Sequence, residues 1–123
     1  MEAGGLAQNV SVAILPMENT IAKLDLIMKR PSGEKFPVSI RIGSPYEIKD
    51  GMGSDFAKCP VSMKGLHNRI SDVAGEDTFQ SLTLAINFVR NMRTSFVEEG
   101  GKIFFSDGET EFVFEPYFKG FEH

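Results

Sequence analysis

Hydrophobic residues recur at every second position through several stretches of the first 75 residues, and then at every third and fourth position from residue 79 onward. The first pattern predicts strands and the second a helix. Val10, Val12 and Ile14 alternate with Ser11 and Ala13 over residues 9–15, and Pro16 closes that run. Residues 20–29 set Leu24, Leu26 and Met28 against Lys23, Asp25 and Lys29. Pro31, Ser32 and Gly33 supply a turn. Residues 35–42 then set Phe36, Val38, Ile40 and Ile42 against Pro37, Ser39 and Arg41. Links this short imply an antiparallel meander. Residues 43–54 are richer in Gly, Pro and charge and read as a loop, with a short strand at 46–49. Residues 56–64 make another strand, apolar at Ala57, Cys59, Val61 and Met63, and residues 69–74 a further short one.

Gly75 to Gln80 marks the change of period. Asp77 is placed to accept from the first-turn N–H groups, and Gln80 to reach back to the Asp77 N–H, as in a capping box. Phe79, Leu82, Ala85, Ile86, Val89, Met92 and Phe96 form one face of a helix over about residues 78–98. Gly100-Gly101 stops it. Residues 102–115 read as a hairpin around Ser106-Asp107-Gly108, since Asp-Gly between alternating apolar runs is a hairpin signal. The expected fold is a single α+β domain over residues 1–123, frayed at 1–8. A mostly antiparallel sheet of about five to seven strands packs on one long helix and carries a C-terminal hairpin.

Composition excludes several classes. The chain has 123 residues, 41% hydrophobic and 24% charged. That suits one globular domain and argues against disorder. One cysteine, Cys59, permits neither an internal disulfide nor a cysteine zinc cluster. The first residues lack a basic segment followed by an apolar run, and no apolar run reaches the roughly 18 residues that span a bilayer. A cytoplasmic protein without membrane insertion is the expectation.

Charge is unevenly placed. Residues 1–97 carry 10 acidic and 11 basic side chains, whereas residues 98–123 carry 7 acidic and 2 basic. This end of the chain is also aromatic: seven of the eleven phenylalanines lie from Phe96 on, six of them within residues 98–123. Phe79, Phe88, Phe96, Phe105 and Phe114 already supply rings to the core, so Tyr117, Phe118 and Phe121, after Pro116, are expected to pack on a neighbour. Opposite the apolar strand faces stand Lys23, Lys29, Lys35, Arg41, Lys58 and Lys64, with Asp25 the one acid and Phe56 the one aromatic. The face away from the helix should be basic.

No catalytic or cofactor motif emerges. Gly51-Met52-Gly53 lacks the third glycine and the following helix of a dinucleotide fingerprint. Cys59 lies on an apolar face with no activating partner. His67 has Ser62, Ser71 and Asp72 nearby in sequence without a triad spacing. Two histidines, one of them His123, give no metal site. No metal and no cofactor are expected.

Arg41-Ile-Gly-x-Pro45, Cys59-Pro-Val-x-Met-x-Gly-Leu66 and Gly75-x-Asp-x-Phe-Gln-x-Leu-x-Leu-Ala-Ile86 together resemble a family of small bacterial proteins of unknown function. The resemblance covers about residues 35–95 and implies no activity; the acidic tail lies outside it. The expected function is non-catalytic: binding of a protein partner, or homodimerisation, through Glu109, Glu111, Glu115, Tyr117, Phe118 and Phe121. An immunity-protein-like role follows by analogy, since an acidic aromatic end suits a basic nuclease site. The competing readings are an anion- or nucleic-acid-binding module using Lys23, Lys29, Arg41, Lys58 and Lys64, and an enzyme whose site the sequence does not reveal. Nucleic acid is the weaker partner class, because a lone Phe56 gives unpaired bases little to stack on.

Overall fold

The structure, a computed structural model, describes residues 19–49, 51 and 55–119. The strand expected at residues 9–15 and the fraying expected at 1–8 lie outside the described residues, as do the Phe118 side chain and Phe121. The elements run β1 (Thr20–Lys29), β2 (Lys35–Gly43), β3 (Tyr46–Ile48), β4 (Phe56–Lys64), β5 (Ser71–Gly75), α1 (Thr78–Glu98), β6 (Lys102–Phe105) and α2 (Pro116–Lys119).

Among the described residues all strand pairs are antiparallel, and together these strands make one six-stranded sheet. β4 is its hub. β5 pairs along one edge of β4, while β2 and then β3 follow one another along the other. Ile42 opposes Val61 but Tyr46 opposes Lys58, so one extra residue is accommodated between β2 and β3. That bulge sits beside Pro60, which has no N–H to give the ladder. The Cys59 thiol donates instead to the Gly43 carbonyl at 3.4 Å. Beyond β2 come β1 and, at the far edge, β6.

The helix connects the two outer strands, β5 and β6, and lies across one sheet face. Ser81, Ala85 and Val89 form its buried stripe. Small residues there let the backbones approach closely: a Cβ on Gly75 would come within 2.6 Å of the Ser81 nitrogen. Leu26, Met28, Val38, Ile40, Cys59, Val61 and Met63 fill the sheet side of this core. Phe79 departs from the expected helix face, being 80% exposed. At 3.6 residues per turn it stands about 120° around from Ala85, beyond the reach of the sheet.

Both helix ends are capped by local chemistry. Asp77 accepts from the Gln80 N–H at 2.7 Å. The Gln80 side chain accepts from the Glu76 N–H at 2.7 Å, one residue beyond the expected Asp77 N–H. At the other end the Gly101 N–H bonds to the Phe96 carbonyl and the Gly100 N–H to the Val97 carbonyl, with Gly100 at φ +100°. This is a Schellman stop, and it needs the left-handed conformation glycine adopts without strain.

Two substitutions check this packing. Ala85→Leu should cost about 1–3 kcal/mol by overpacking a stripe with no spare volume. Asp77→Ala should cost about 0.5–2 kcal/mol through the lost cap. Urea denaturation of each variant beside the parent measures both, and unchanged midpoints would contradict the helix placement.

Candidate functional site

The acidic, aromatic end of the chain is built on β6 and the arm that returns from it. Asp107 organises the turn, accepting from the Glu109 N–H and the Thr110 N–H at 2.8 Å and from the Thr110 hydroxyl at 2.6 Å. Gly108 carries the positive φ the reversal requires. The returning arm then bonds twice to β6, Phe105 N–H to the Thr110 carbonyl and Phe112 N–H to the Ile103 carbonyl, around a single bridge of Phe104 with Glu111. The hairpin is thus present with a second arm one bridge long.

Alternation divides the arm into two sides. Phe112 and Phe114 turn inward and are 5% and 7% exposed. The Phe112 ring lies 5.1 Å from Phe105, 5.5 Å from Phe114 and 5.2 Å from Tyr117, which closes an aromatic cluster. Phe112 takes the core place expected of Phe105, which stays 36% exposed at the end of β6. On the other side Glu111, Val113 and Glu115 point to solvent, with Glu109 exposed at the turn. Val113 and Tyr117 are 50% and 54% exposed. Arg93 of α1 reaches Glu115 at 3.5 Å and ties the arm to the helix. Of the residues expected to bind a partner, the fold gathers Glu109, Glu111 and Glu115 on this edge and packs Tyr117 against the cluster.

The basic face forms as expected, on the side of the sheet away from α1. Lys23 stands opposite Arg41, and Lys29 opposite Lys35. Lys102 stands opposite Lys29 on β6, so three lysines align across adjacent strands. Like charges so placed repel one another. Lys35 turns partly aside, donating to the Gly108 carbonyl at 3.2 Å and lying 5.3 Å from the centre of the Phe104 ring. Lys64 lies apart from that row beside Ser39, and Lys58 lies between Tyr46 and Ala74. Phe56 is not alone there. The register brings Phe104, opposite Ile27, and Tyr46, opposite Lys58, to the same face. The Tyr46 hydroxyl donates to Asp72 at 3.1 Å, and burial together with that carboxylate raises its pKa.

Two hollows accompany these surfaces. One, of about 370 Å³, lies on the basic face between Asp25, Ile27, Pro37, Ser39, Lys64 and Ser106. The Ser39 hydroxyl oxygen is buried without a hydrogen-bond partner. The other, of about 190 Å³, is an apolar groove on the helix side, where Leu24, Ile40 and Ile42 of the sheet face Ile86, Val89 and Phe114. Sequence patterning did not reveal Lys102 as part of the lysine row, nor the burial of the Ser39 hydroxyl, nor either hollow. The alternation of Lys102 with Ile103 was a usable sign of its face.

The nucleophile candidates are not assembled for catalysis. Burial, with a smaller contribution from the Asp72 charge, pushes the Cys59 thiol up, so it stays protonated. The His67 Nδ1 accepts from the Arg69 N–H at 3.3 Å, which occupies it in a local turn. Among the described residues no group of three His, Cys, Asp or Glu is placed to hold a metal ion, and no helix is long and apolar enough to cross a membrane. No family model, curated protein or solved structure matches the chain.

Two measurements test this account. Cys59 should react with a thiol reagent only at the rate of unfolding; rapid modification of the native protein would mean an activated thiolate. The hydrogen bonds from the Thr110 hydroxyl and the Glu109 and Thr110 N–H groups hold the Asp107 carboxyl below the usual carboxylate range. The stabilisation it lends the turn is therefore present above about pH 4 and lost as pH falls through the lowered folded value. Amide exchange at Thr110 followed down the pH scale should accelerate in that window, and a flat profile corrected for intrinsic rates would count against the turn.

Proposed function

We propose that this domain is a non-catalytic binding module that engages the basic surface of a protein partner through its C-terminal edge. The observation that carries the reading is the one-bridge arm. Its short ladder leaves Val113 exposed between Glu111 and Glu115, an apolar contact with carboxylates around it. Interfaces commonly place apolar contacts at the centre and charge at the rim. Tyr117 adds an aromatic ring with a polar tip, a residue type enriched among energetic anchors. The internal packing of Phe105, Phe112 and Phe114 supports the arm from behind, so the outward side is offered on a fixed backbone.

A second reading belongs to the opposite charge. Lys102, Lys29 and Lys35 repel one another across the sheet, and Lys23 repels Arg41, so an anion seated over them would relieve that repulsion. Phe104 and Tyr46 on the same face offer it rings to stack on.

One pair of variants separates the two. Affinity capture with the full chain should yield a partner that Glu109→Lys/Glu111→Lys loses and Lys29→Glu retains, with binding weakening as salt rises. The reverse outcome, retention by the first variant and loss by the second, assigns the function to the basic face. Sedimentation of the parent checks self-association: a dimer abolished by Val113→Asp would make the partner a second copy.

A further inference from the structure

One row of polar side chains crosses the hollow of about 370 Å³ on the sheet face away from α1. Asp25 of β1 opposes Ser39 of β2, and Ser39 in turn opposes Lys64 of β4. Ser106 lines the hollow on the Asp25 side, where the chain leaves β6. Ile27 and Pro37, opposite one another, stand two residues along on the same face, so the adjoining row is apolar. Gly65 shapes the other side. Its φ is +106°, and a Cβ there would strike the Pro37 carbonyl, so glycine lets the chain leave β4 this close to β2.

The row differs from the rest of that face in three respects. Asp25 is the one acid among the outward side chains of β1, β2, β4 and β6. Among the described residues neither Asp25 nor Lys64 has an ion-pair partner, although only β2 separates their strands. Between them the Ser39 hydroxyl is buried without a hydrogen-bond partner, a costly state for a polar group. An acceptor, a hydroxyl and a cation with unused bonding capacity therefore meet at one apolar-walled hollow.

We propose that this hollow binds an α-amino acid with an apolar side chain. The inference is independent of the reading of the C-terminal edge. The ligand ammonium donates to the Asp25 carboxylate, and the ligand carboxylate accepts from the Lys64 ammonium. Ser39 donates to the same carboxylate after a χ1 step between staggered positions turns its oxygen up to the hollow. The ligand side chain lies on Ile27 and Pro37. Spacing favours charges carried on one carbon. Two strand spacings, about 9.6 Å, separate the Asp25 and Lys64 backbones. The two side chains take up part of that span, and a charge-assisted hydrogen bond of about 2.8 Å at each end takes more. Opposite charges at the two ends of the row also select against simpler ions. Asp25 repels a lone carboxylate and Lys64 a lone amine, so only a zwitterion has both charges matched.

A nuclear magnetic resonance titration of the full chain with leucine and its two half-charged analogues, isocaproate and isopentylamine, decides the matter. The expected result is saturable shifts at Asp25, Ile27, Ser39 and Gly65 with leucine, and binding at least about tenfold weaker for each analogue. Asp25→Asn should erase the preference for leucine over isocaproate, and Lys64→Gln the preference over isopentylamine. Both side chains are exposed, so these variants keep the fold. Lys58→Gln, elsewhere on the same face, should change neither preference. The absence of saturable shifts with leucine, equal binding of leucine and either analogue, or preferences unchanged in Asp25→Asn and Lys64→Gln, overturns the proposal.

Discussion

One helix cannot cover this sheet. Five strand positions spaced by about 4.8 Å set the outermost axes some 19 Å apart, whereas a helix with its side chains is about 10–12 Å across. The close fit of α1 over β4 and β5, made possible by Gly75, Ser81 and Ala85, settles which half is covered well. The half under β1 and β6 needs other material. Phe112 and Phe114 supply part of it, and they can do so only because the chain turns back after β6. Burial of two rings on this side explains why an acidic segment stays attached to the domain at all, since its carboxylates alone would favour solvent.

The same geometry separates the surfaces by charge. Strand alternation sends every lysine of β1, β2, β4 and β6 to the face away from α1, because the apolar partners of those lysines are required on the helix side. Glu111, opposite Phe104, lies at the margin of that face, so a positive field and a negative one meet within a short distance. Such a boundary orients an approaching charged partner before contact. Cys59 and His67, the residues that chemistry would first single out, are instead taken up by the bulge beside Pro60 and by a local turn.

Much of the fold was legible because the relevant signals are local. The limits of β1, β4 and α1 follow from alternation, Pro and Gly punctuation, and a capping residue, each read within a few positions. The discrepancies are of a different kind. Phe79 satisfies helical spacing, but its exposure depends on where the sheet ends. Gln80 has two N–H groups within reach, and the choice of Glu76 over Asp77 depends on the entry angle of the chain. The candidate site was legible in composition and not in arrangement. That Glu109, Glu111 and Glu115 share one edge follows from the turn, whereas the alignment of Lys102 with Lys29 and Lys35 depends on pairing between strands some seventy residues apart. No single-sequence pattern encodes that register. Ser39 is similar: its place on the polar side of β2 was clear, and its burial was not.

The distance along the chain between β1 and β6 also bears on how the molecule assembles. β1, β2, β4 and β5 join through nearby links, whereas β6 must wait for the whole helix and then close a loop of about seventy residues. Such pairings come slowly because the entropy of closure precedes the contacts that reward it. During that wait β1 is an exposed edge with Leu26 and Met28 behind it. Lys29, whose repulsion from Lys102 opposes docking of β6, is then, with Lys23, what keeps one unfinished molecule from pairing with another.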